Sequence, residues 1–436
     1  MERRDCTKAG VVIAGRLVST SDAALLKELR ELVSAAGYCV VGEVIQRRRF
    51  EDSKYNIGRG KIEELRKLVE ERKPVKVVFL NDLKPNQSYN IAKELGVEVI
   101  DRYELILEIF AKRAGSKESQ LQIELAKLRR ELSFAREYIN LSKRGELHGF
   151  LGGGKYAVDS YYTYISSRIS RIEEELSRIR EAKSMRYGKR VEAGLYTVSL
   201  AGYTGAGKTS LFNVLTKETG YVDGKPFATL STLSRKTKLQ GFPVVVTDTI
   251  GFIDALPESL LDAFYTTLKE TIASDVILLV VDLSDPISEV KRKLSASLEV
   301  LLSLGIPLSK VLIVGNKVDK VAGKELDEKS MLLQGLGLEF VLTSAVRRVG
   351  IAELAEKIVH KLPDRLRERV VVDAGAPQEI LSEIFEKCRV VSVSRLPGGQ
   401  LALEIEGRRP VVARLKARCM NLVVSQQKSV RIEDRS

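Results

Sequence analysis

Hydrophobic and polar positions alternate in blocks over the first hundred residues. Apolar runs (GVVIAGRLV, YCVVGEVIQ, VKVVFLND, VEVID) are separated by stretches with apolar residues every three or four positions (DAALLKELRELVSAAG, GKIEELRKLVEERK, NQSYNIAKELG). Short apolar runs read as buried strands, and the wider spacing reads as helices with one packed face. The block pattern therefore predicts βαβ units and a mostly parallel sheet, an α/β domain over residues 1–115. From Ser116 the period changes. Leu121, Leu125, Leu128, Leu132 and Ala135 repeat at spacings of four and three, and so do Ile165, Ile169, Ile172, Leu176 and Ile179 after the glycine-rich break at Gly149–Gly154. Two such seams joined by a short loop predict an antiparallel helical hairpin over 116–190. Residues 191–362 return to strand–helix alternation. Residues 363–436 alternate apolar and basic positions around Gly398-Gly399 and predict a small α+β domain with a hairpin turn. The fold class expected is α/β, with the hairpin and the small domain appended.

The 191–362 segment carries the strongest chemical signal. Gly202-Tyr203-Thr204-Gly205-Ala206-Gly207-Lys208-Thr209 fits the phosphate-loop pattern G-x-x-x-x-G-K-[ST], preceded by a strand pattern and followed by Ser210 and a helical one. Backbone N–H groups at such a helix N-terminus face phosphates, Lys208 reaches the β- and γ-phosphates, and the Thr209 hydroxyl suits Mg²⁺. Further along, FPVVVTDTIGF ends in Asp248-Thr249-Ile250-Gly251, with a carboxylate for Mg²⁺ and a glycine N–H for the γ-phosphate. VLIVGNKVD ends in Asn316-Lys317-Val318-Asp319, and FVLTSAV supplies Ser344 and Ala345. Asp319 can accept from guanine N1–H and the 2-amino group, the Lys317 stem can lie along the base, and the backbone at Ser344 and Ala345 can donate to O6. A carboxylate aimed at two guanine donors is left unpaired by adenine, so the order of motifs predicts GTP rather than ATP. Between the first and second elements, KPFATLSTL offers Phe227, Ala228 and Thr229, the last preferred over Thr232 as the threonine that closes on Mg²⁺ and the γ-phosphate. The candidate catalytic residues are Lys208, Thr229 and Gly251, and the candidate Mg²⁺ ligands are Thr209, Thr229 and Asp248. Phe252 follows Gly251, where a water-orienting glutamine would be useful; an apolar side chain cannot hold the attacking water, so unaided hydrolysis is expected to be slow.

Composition narrows the field. A 436-residue chain with 44% hydrophobic and 30% charged residues can bury several cores and is neither disordered nor collagen-like. Its apolar runs, such as Val276–Val281, fall far short of the roughly 20 residues of a membrane span. The charged start followed by a short apolar run is read as a first strand rather than a targeting segment, which gives a cytoplasmic, membrane-free expectation. Four scattered cysteines and two histidines leave little for zinc sites or Cys/His and Ser/His catalysis. Charge is uneven: residues 1–190 hold 38 basic and 28 acidic side chains, the middle 191–361 hold 19 and 20, and the rest 14 and 10. A near-neutral middle with basic flanks suits an engine carried by polyanion-binding parts. The hairpin adds Lys127, Arg129, Arg130, Arg136, Lys143, Arg144, Arg168, Arg171, Arg178 and Arg180, and its loop SKRGELHGFLGGGKYAVDSYYTY puts glycines beside basic residues and tyrosines. Such a tip can stack on unpaired bases and approach a phosphate backbone. Gly58-Arg59-Gly60-Lys61 opens a helix, and a glycine turn capping that helix is preferred there over a phosphate contact.

With these motifs in this order, the sequence resembles the HflX family of translation-factor-class GTPases over residues 10–360. The likeness is carried by GEVIQRR, YNIGRGKIEEL, VEVIDRYELILEIFAKRA, SQLQIELAKLRREL, FATL, DTIGFI and LPESLLDAF besides the nucleotide motifs. A monomer is expected, and the resemblance implies a GTPase whose N-terminal domain and hairpin enter the large ribosomal subunit and meet its rRNA. It further implies that GTP controls affinity, and that family members free stalled ribosomes by splitting subunits. Two departures stand out. The tip RGELHGFLGGGKYAVDSYY lacks the G-x-G-x-x-G-E-T-Q-like stretch usual in the family, and Gly205 stands where a potassium-binding Asn is common, so little potassium dependence is expected. A nucleotide-regulated RNA-binding or remodelling protein acting off the ribosome, with a second nucleotide in the N-terminal domain, is the alternative. A signalling GTPase with protein effectors ranks third.

Overall fold

The computed structural model describes residues 9–18, 22–143, 154–217, 233–249, 251–252, 273–373 and 378–420. They group into two compact units.

The first unit opens with a four-stranded parallel sheet in the order β2-β1-β3-β4, made of β1 (Gly10–Leu17), β2 (Cys39–Arg47), β3 (Lys76–Phe79) and β4 (Glu98–Asp101). Its helices are α1 (Asp22–Ala35), α2 (Arg59–Arg72), α3 (Pro85–Leu95) and α4 (Arg102–Arg113). The central strands read as unbroken apolar runs because helices cover both faces of a parallel sheet. One core gathers Val12, Ala14, Val77 and Phe79 from the strands with Ile62, Leu65 and Val69 of α2 and Ile91 and Leu95 of α3.

Two long helices follow, α5 (Lys117–Lys143) and α6 (Gly154–Glu192). Their seam is the one the spacing predicts: Leu121 and Leu125 pack with Ile165, Ile169, Ile172 and Leu176, flanked by Leu128, Leu132 and Ile179. The Ala135 side chain and the loop 144–153 lie outside the described residues. Several arginines of the hairpin are held by carboxylates: Arg129 by Glu173 (2.9 Å), Arg168 by Glu124 (2.7 Å) and Arg178 by Glu174 (2.6 Å). Arg130 is no surface residue. It is inserted against the N-terminus of α4, ion-paired to fully buried Asp101 and stacked on Tyr103 (4.7 Å) and Phe134 (5.1 Å). Asp101 also caps α4 by accepting the Glu104 N–H (3.1 Å) and ties down the β3–α3 loop through the Leu83 N–H (3.0 Å).

The second unit holds a six-stranded sheet in the order β10-β9-β8-β5-β7-β6: β5 (Tyr196–Ala201), β6 (Leu233–Leu239), β7 (Phe242–Asp248), β8 (Val276–Asp282), β9 (Val311–Asn316) and β10 (Phe340–Leu342). All pairs are parallel except the β6–β7 edge hairpin. Helices α7 (Lys208–Thr216), α8 (Ile287–Ser303), α9 (Lys324–Gln334) and α10 (Ile351–Lys361) cover it over two cores. The chain ends in a three-stranded antiparallel sheet, β11 (Arg365–Val372), β13 (Leu401–Arg408) and β12 (Arg389–Arg395) in that order, backed by α11 (Gln378–Lys387) and a helix over residues 409–420. The β12–β13 turn falls at Pro397–Gly399, where the glycine pair predicts it. This small sheet is pinned to the larger one by Arg408. Its guanidinium pairs with Asp275, donates to the Leu195 carbonyl (3.0 Å) and lies over the Tyr196 ring (4.4 Å). Among the described residues no helix is long and apolar enough to cross a membrane.

Candidate nucleotide site

The candidate site forms where β5, β7, β8 and β9 end, the edge at which open α/β sheets bind ligands. After β5 the chain turns through Gly202 (φ 132°), Gly205 (φ 78°) and Gly207 (φ 93°), the last capping α7. A side chain at Gly202 would collide with the Val280 carbonyl, and one at Gly207 with the Asn316 amide, so close approach as well as left-handed backbone requires glycine at both. Lys208, at the first position of α7, is buried, and its ammonium donates to the carbonyls of Gly202 (2.9 Å) and Tyr203 (2.8 Å). Burial lowers its pKa to about 8, with Asp248 opposing part of the shift.

Thr209 Oγ1 donates to Asp248 Oδ2 at 2.8 Å, which brings a hydroxyl and a fully buried carboxylate together at the start of α7. Both are hard oxygen donors and fit Mg²⁺. The Thr249 hydroxyl donates to the Leu200 carbonyl (2.5 Å) and fixes the end of β7 against β5. Gly251 then passes so close that a Cβ there would lie 2.8 Å from the Lys208 ammonium nitrogen. Phe252 donates its N–H to the Gly202 carbonyl (2.9 Å) and accepts the Thr204 N–H (2.9 Å), a parallel bridge onto the phosphate loop. Its ring is buried in the core with Tyr203, Leu279 and Val281. The sequence says only that this side chain is apolar; the structure gives it a packing role. Phe227, Ala228, Thr229, Thr232 and Ile250 lie outside the described residues.

Asn316, at the end of β9, joins two loops. Its amide donates to the Ala206 carbonyl of the phosphate loop (2.9 Å), and its Oδ1 accepts from the Ala345 N–H (3.2 Å) and the Thr343 hydroxyl (3.3 Å). Asp319 accepts from the Ser344 hydroxyl (2.5 Å), which lowers its pKa and keeps it anionic. The Ser344 N–H pairs with the Val349 carbonyl (3.1 Å), so this residue serves Asp319 through its side chain rather than offering its backbone donor. Lys317 adopts φ 67°, and its ammonium pairs with Asp282 at 2.5 Å. Asp282 and its neighbours escaped the sequence reading; the only local signal is the Asp-Leu-Ser turn at the end of β8.

Comparison with known proteins places three family models along the chain: "GTP-binding GTPase N-terminal" on residues 23–111, "GTP-binding GTPase Middle Region" on 113–190, and "50S ribosome-binding GTPase" on 197–317. The chain is 64% identical over 417 residues to the GTPase HflX of Thermofilum pendens, covering 95% of this chain and 98% of that one. It is 40% identical over 354 residues to the GTPase HflX of Thermococcus kodakarensis, with 79% and 80% covered. A solved GTP-binding protein from the archaeon Sulfolobus solfataricus, in complex with GDP, is 28% identical with a TM-score of 0.46, covering 81% of this chain and 98% of that one.

Proposed function

Since the chain belongs to the HflX family of GTPases, we propose that it hydrolyses GTP at the site just described and that the bound nucleotide sets its affinity for the large ribosomal subunit and its rRNA. The observation that carries the site reading is the Asn316 side chain. It couples the phosphate loop at Ala206 to the Ala345 segment beside an anionic Asp319, so phosphate and base pockets form one framework.

In this reading the N–H groups of the Gly205–Thr209 turn cradle the phosphates, and Lys208 turns from its two carbonyl acceptors to the β- and γ-oxygens. The cost of burying its ammonium is then offset by phosphate charge. Asp319 takes the guanine N1–H and 2-amino donors. Thr209 and Asp248 would hold Mg²⁺, joined by Thr229; the ion supplies neutralisation of charge on the β- and γ-phosphates. Gly251 offers its N–H to the γ-phosphate. Because the Phe252 ring is buried in the core, it orients no water, and turnover is slow until a partner completes the site. The 50S description of the central family model and the basic flanks support the large subunit as that partner. Splitting of stalled ribosomes is the downstream step this reading favours.

The test is GTP turnover with and without purified large subunits, beside Lys208→Ala. Strong stimulation lost in the variant is expected. Slow turnover indifferent to subunits, but raised by free structured RNA, would overturn the ribosomal reading and favour action off the ribosome.

A further inference from the structure

The end of β8 carries an arrangement that the proposed hydrolysis does not use. Asp282 is the last residue of that strand, in register with Asn316 on β9. Both of its carboxylate oxygens are engaged. Oδ1 accepts the Ser284 N–H (2.9 Å) and hydroxyl (2.6 Å), a turn that removes its freedom to rotate, while Oδ2 takes the Lys317 ammonium at 2.5 Å. The side chains of Asp282 and Lys317 are 15% and 25% exposed, so the pair is shielded from the screening that makes surface pairs weak.

The loop itself is anchored twice. The Leu283 N–H donates to the Asn316 carbonyl (3.0 Å), and the Leu283 carbonyl accepts from Lys329 (2.7 Å). Lys329 sits on α9 with no exposed surface, and it also pairs with Glu325 (2.5 Å). A buried ammonium is expensive, and this one is spent on the backbone one residue from Asp282. The Lys317 stem passes over Gly207: a Cβ there would be 4.0 Å from Lys317 Cε. The stem therefore runs beside the phosphate loop with its charged end fixed.

We propose that Asp282 is a positioning residue for nucleotide recognition, holding Lys317 so that its stem covers one face of the purine, with Lys329 and Ser284 holding Asp282 in turn. This rests on the guanine reading of Asn316–Asp319. A base contact is equal for di- and triphosphate and for ground and transition states. Its loss lowers affinity for both nucleotides by one factor and raises KM without touching kcat.

The experiment measures Kd for fluorescent GDP and a fluorescent non-hydrolysable GTP analogue on the full chain, for Asp282→Asn, Lys317→Met and the double variant. Asp282→Asn is expected to weaken both nucleotides equally, about tenfold, as for a hydrogen bond to a charged group. Adding it to Lys317→Met should cost nothing more, because a residue acting through Lys317 has nothing left to position. Unchanged affinity, or equal losses in the wild-type and Lys317→Met backgrounds, overturns the proposal. Ser284→Ala changes only an exposed residue and loosens the same turn without risk to folding; it should weaken both nucleotides about twofold, and no change there counts equally against the proposal. Asp319→Asn, assayed with xanthosine diphosphate, tests the underlying reading separately. Gained xanthine binding keeps guanine recognition whatever Asp282→Asn does, whereas no gain and no loss of GDP affinity overturns both.

Discussion

Two strand-to-helix turns in this chain carry glycines beside a lysine, one before α2 and one before α7, and they differ in backbone conformation and in where the lysine is drawn. Before α2, Gly58 has an ordinary extended backbone (φ −68°, ψ 154°), its N–H goes to the Gln46 side chain (2.8 Å), and Lys61 reaches out to Glu64 (2.6 Å). Before α7, three glycines take left-handed or otherwise positive φ, and Lys208 is drawn inward onto two carbonyls. Glycine content is thus a poor guide to anion binding. What matters is whether successive N–H groups converge on one point and whether a buried cation waits there.

The comparison breaks most sharply on the two lysines. Lys208→Ala should lower GTP turnover at least about 100-fold, the scale of losing a charge aimed at a transferring phosphoryl group. Lys61→Ala should leave turnover and nucleotide affinity unchanged in the same assay. A comparable loss from both would mean that the first domain shares in the chemistry.

Among the described residues each unit also has a buried arginine–aspartate pair, and their settings differ. Arg408→Ala and Arg130→Ala each strand a buried carboxylate, Asp275 or Asp101, and should cost about 3 kcal/mol in denaturation of the full chain. Arg130, however, faces surplus acid. Burial pushes half-buried Glu104 up to about 7, against the pull of Arg130 and with the push of Asp101, and burial likewise raises Asp82. Glu104 therefore holds a proton when folded over a pH range where the unfolded chain has lost it. Stability of this region falls as pH rises from the ordinary carboxylate range to about 7. Without Arg130 the carboxylates repel unscreened, so the penalty of Arg130→Ala should grow between pH 6 and pH 8 while that of Arg408→Ala stays level.

The buried lysine gives the next effect. Folded Lys208 is half deprotonated at about pH 8, and phosphate binding demands the ammonium. Binding therefore takes up a proton once the pH exceeds that value. Kd for GDP should be level below pH 8 and weaken up to tenfold per pH unit above it, the ceiling set by one linked proton. A profile level to pH 9 in titration calorimetry, below the range where guanine N1–H itself ionises, would mean that Lys208 keeps its ordinary pKa.

These contrasts were unequally legible in the sequence. Apolar blocks mark β1, β3, β5, β7, β8 and β9 because strands covered on both faces need nothing else. The helical seam of α5 and α6 follows from period alone. The edge strand β6, LSRKTKL, reads as polar, since a strand with a single partner and an exposed side needs no apolar run. The phosphate loop is legible because backbone geometry forces its glycines. The partners of each site residue are not, because they come from far along the chain: Asn316 on Ala206, Lys329 on Leu283, Arg408 on Asp275. Arg130 looks like every other basic residue on a long helix until the fold sets Asp101 against it.

The smallest effect tests the comparison from its quiet side. Gly58 needs no positive φ, and the nearest atoms to an added methyl are the ends of the flexible Arg48 and Gln46 side chains, at 3.0 and 3.1 Å. Gly58→Ala narrows the unfolded ensemble while crowding Gln46, the acceptor of the Gly58 N–H. The two terms oppose each other, and the net change in stability should stay within about 1 kcal/mol. Nucleotide affinity should not move. At Gly207 the same methyl meets both a φ of 93° and the Asn316 amide that joins the two pockets, so Gly207→Ala should cost affinity as well as stability. If Gly58→Ala weakened nucleotide binding as Gly207→Ala does, the first turn would be a phosphate site after all, and its bond to Gln46 one that ligand displaces.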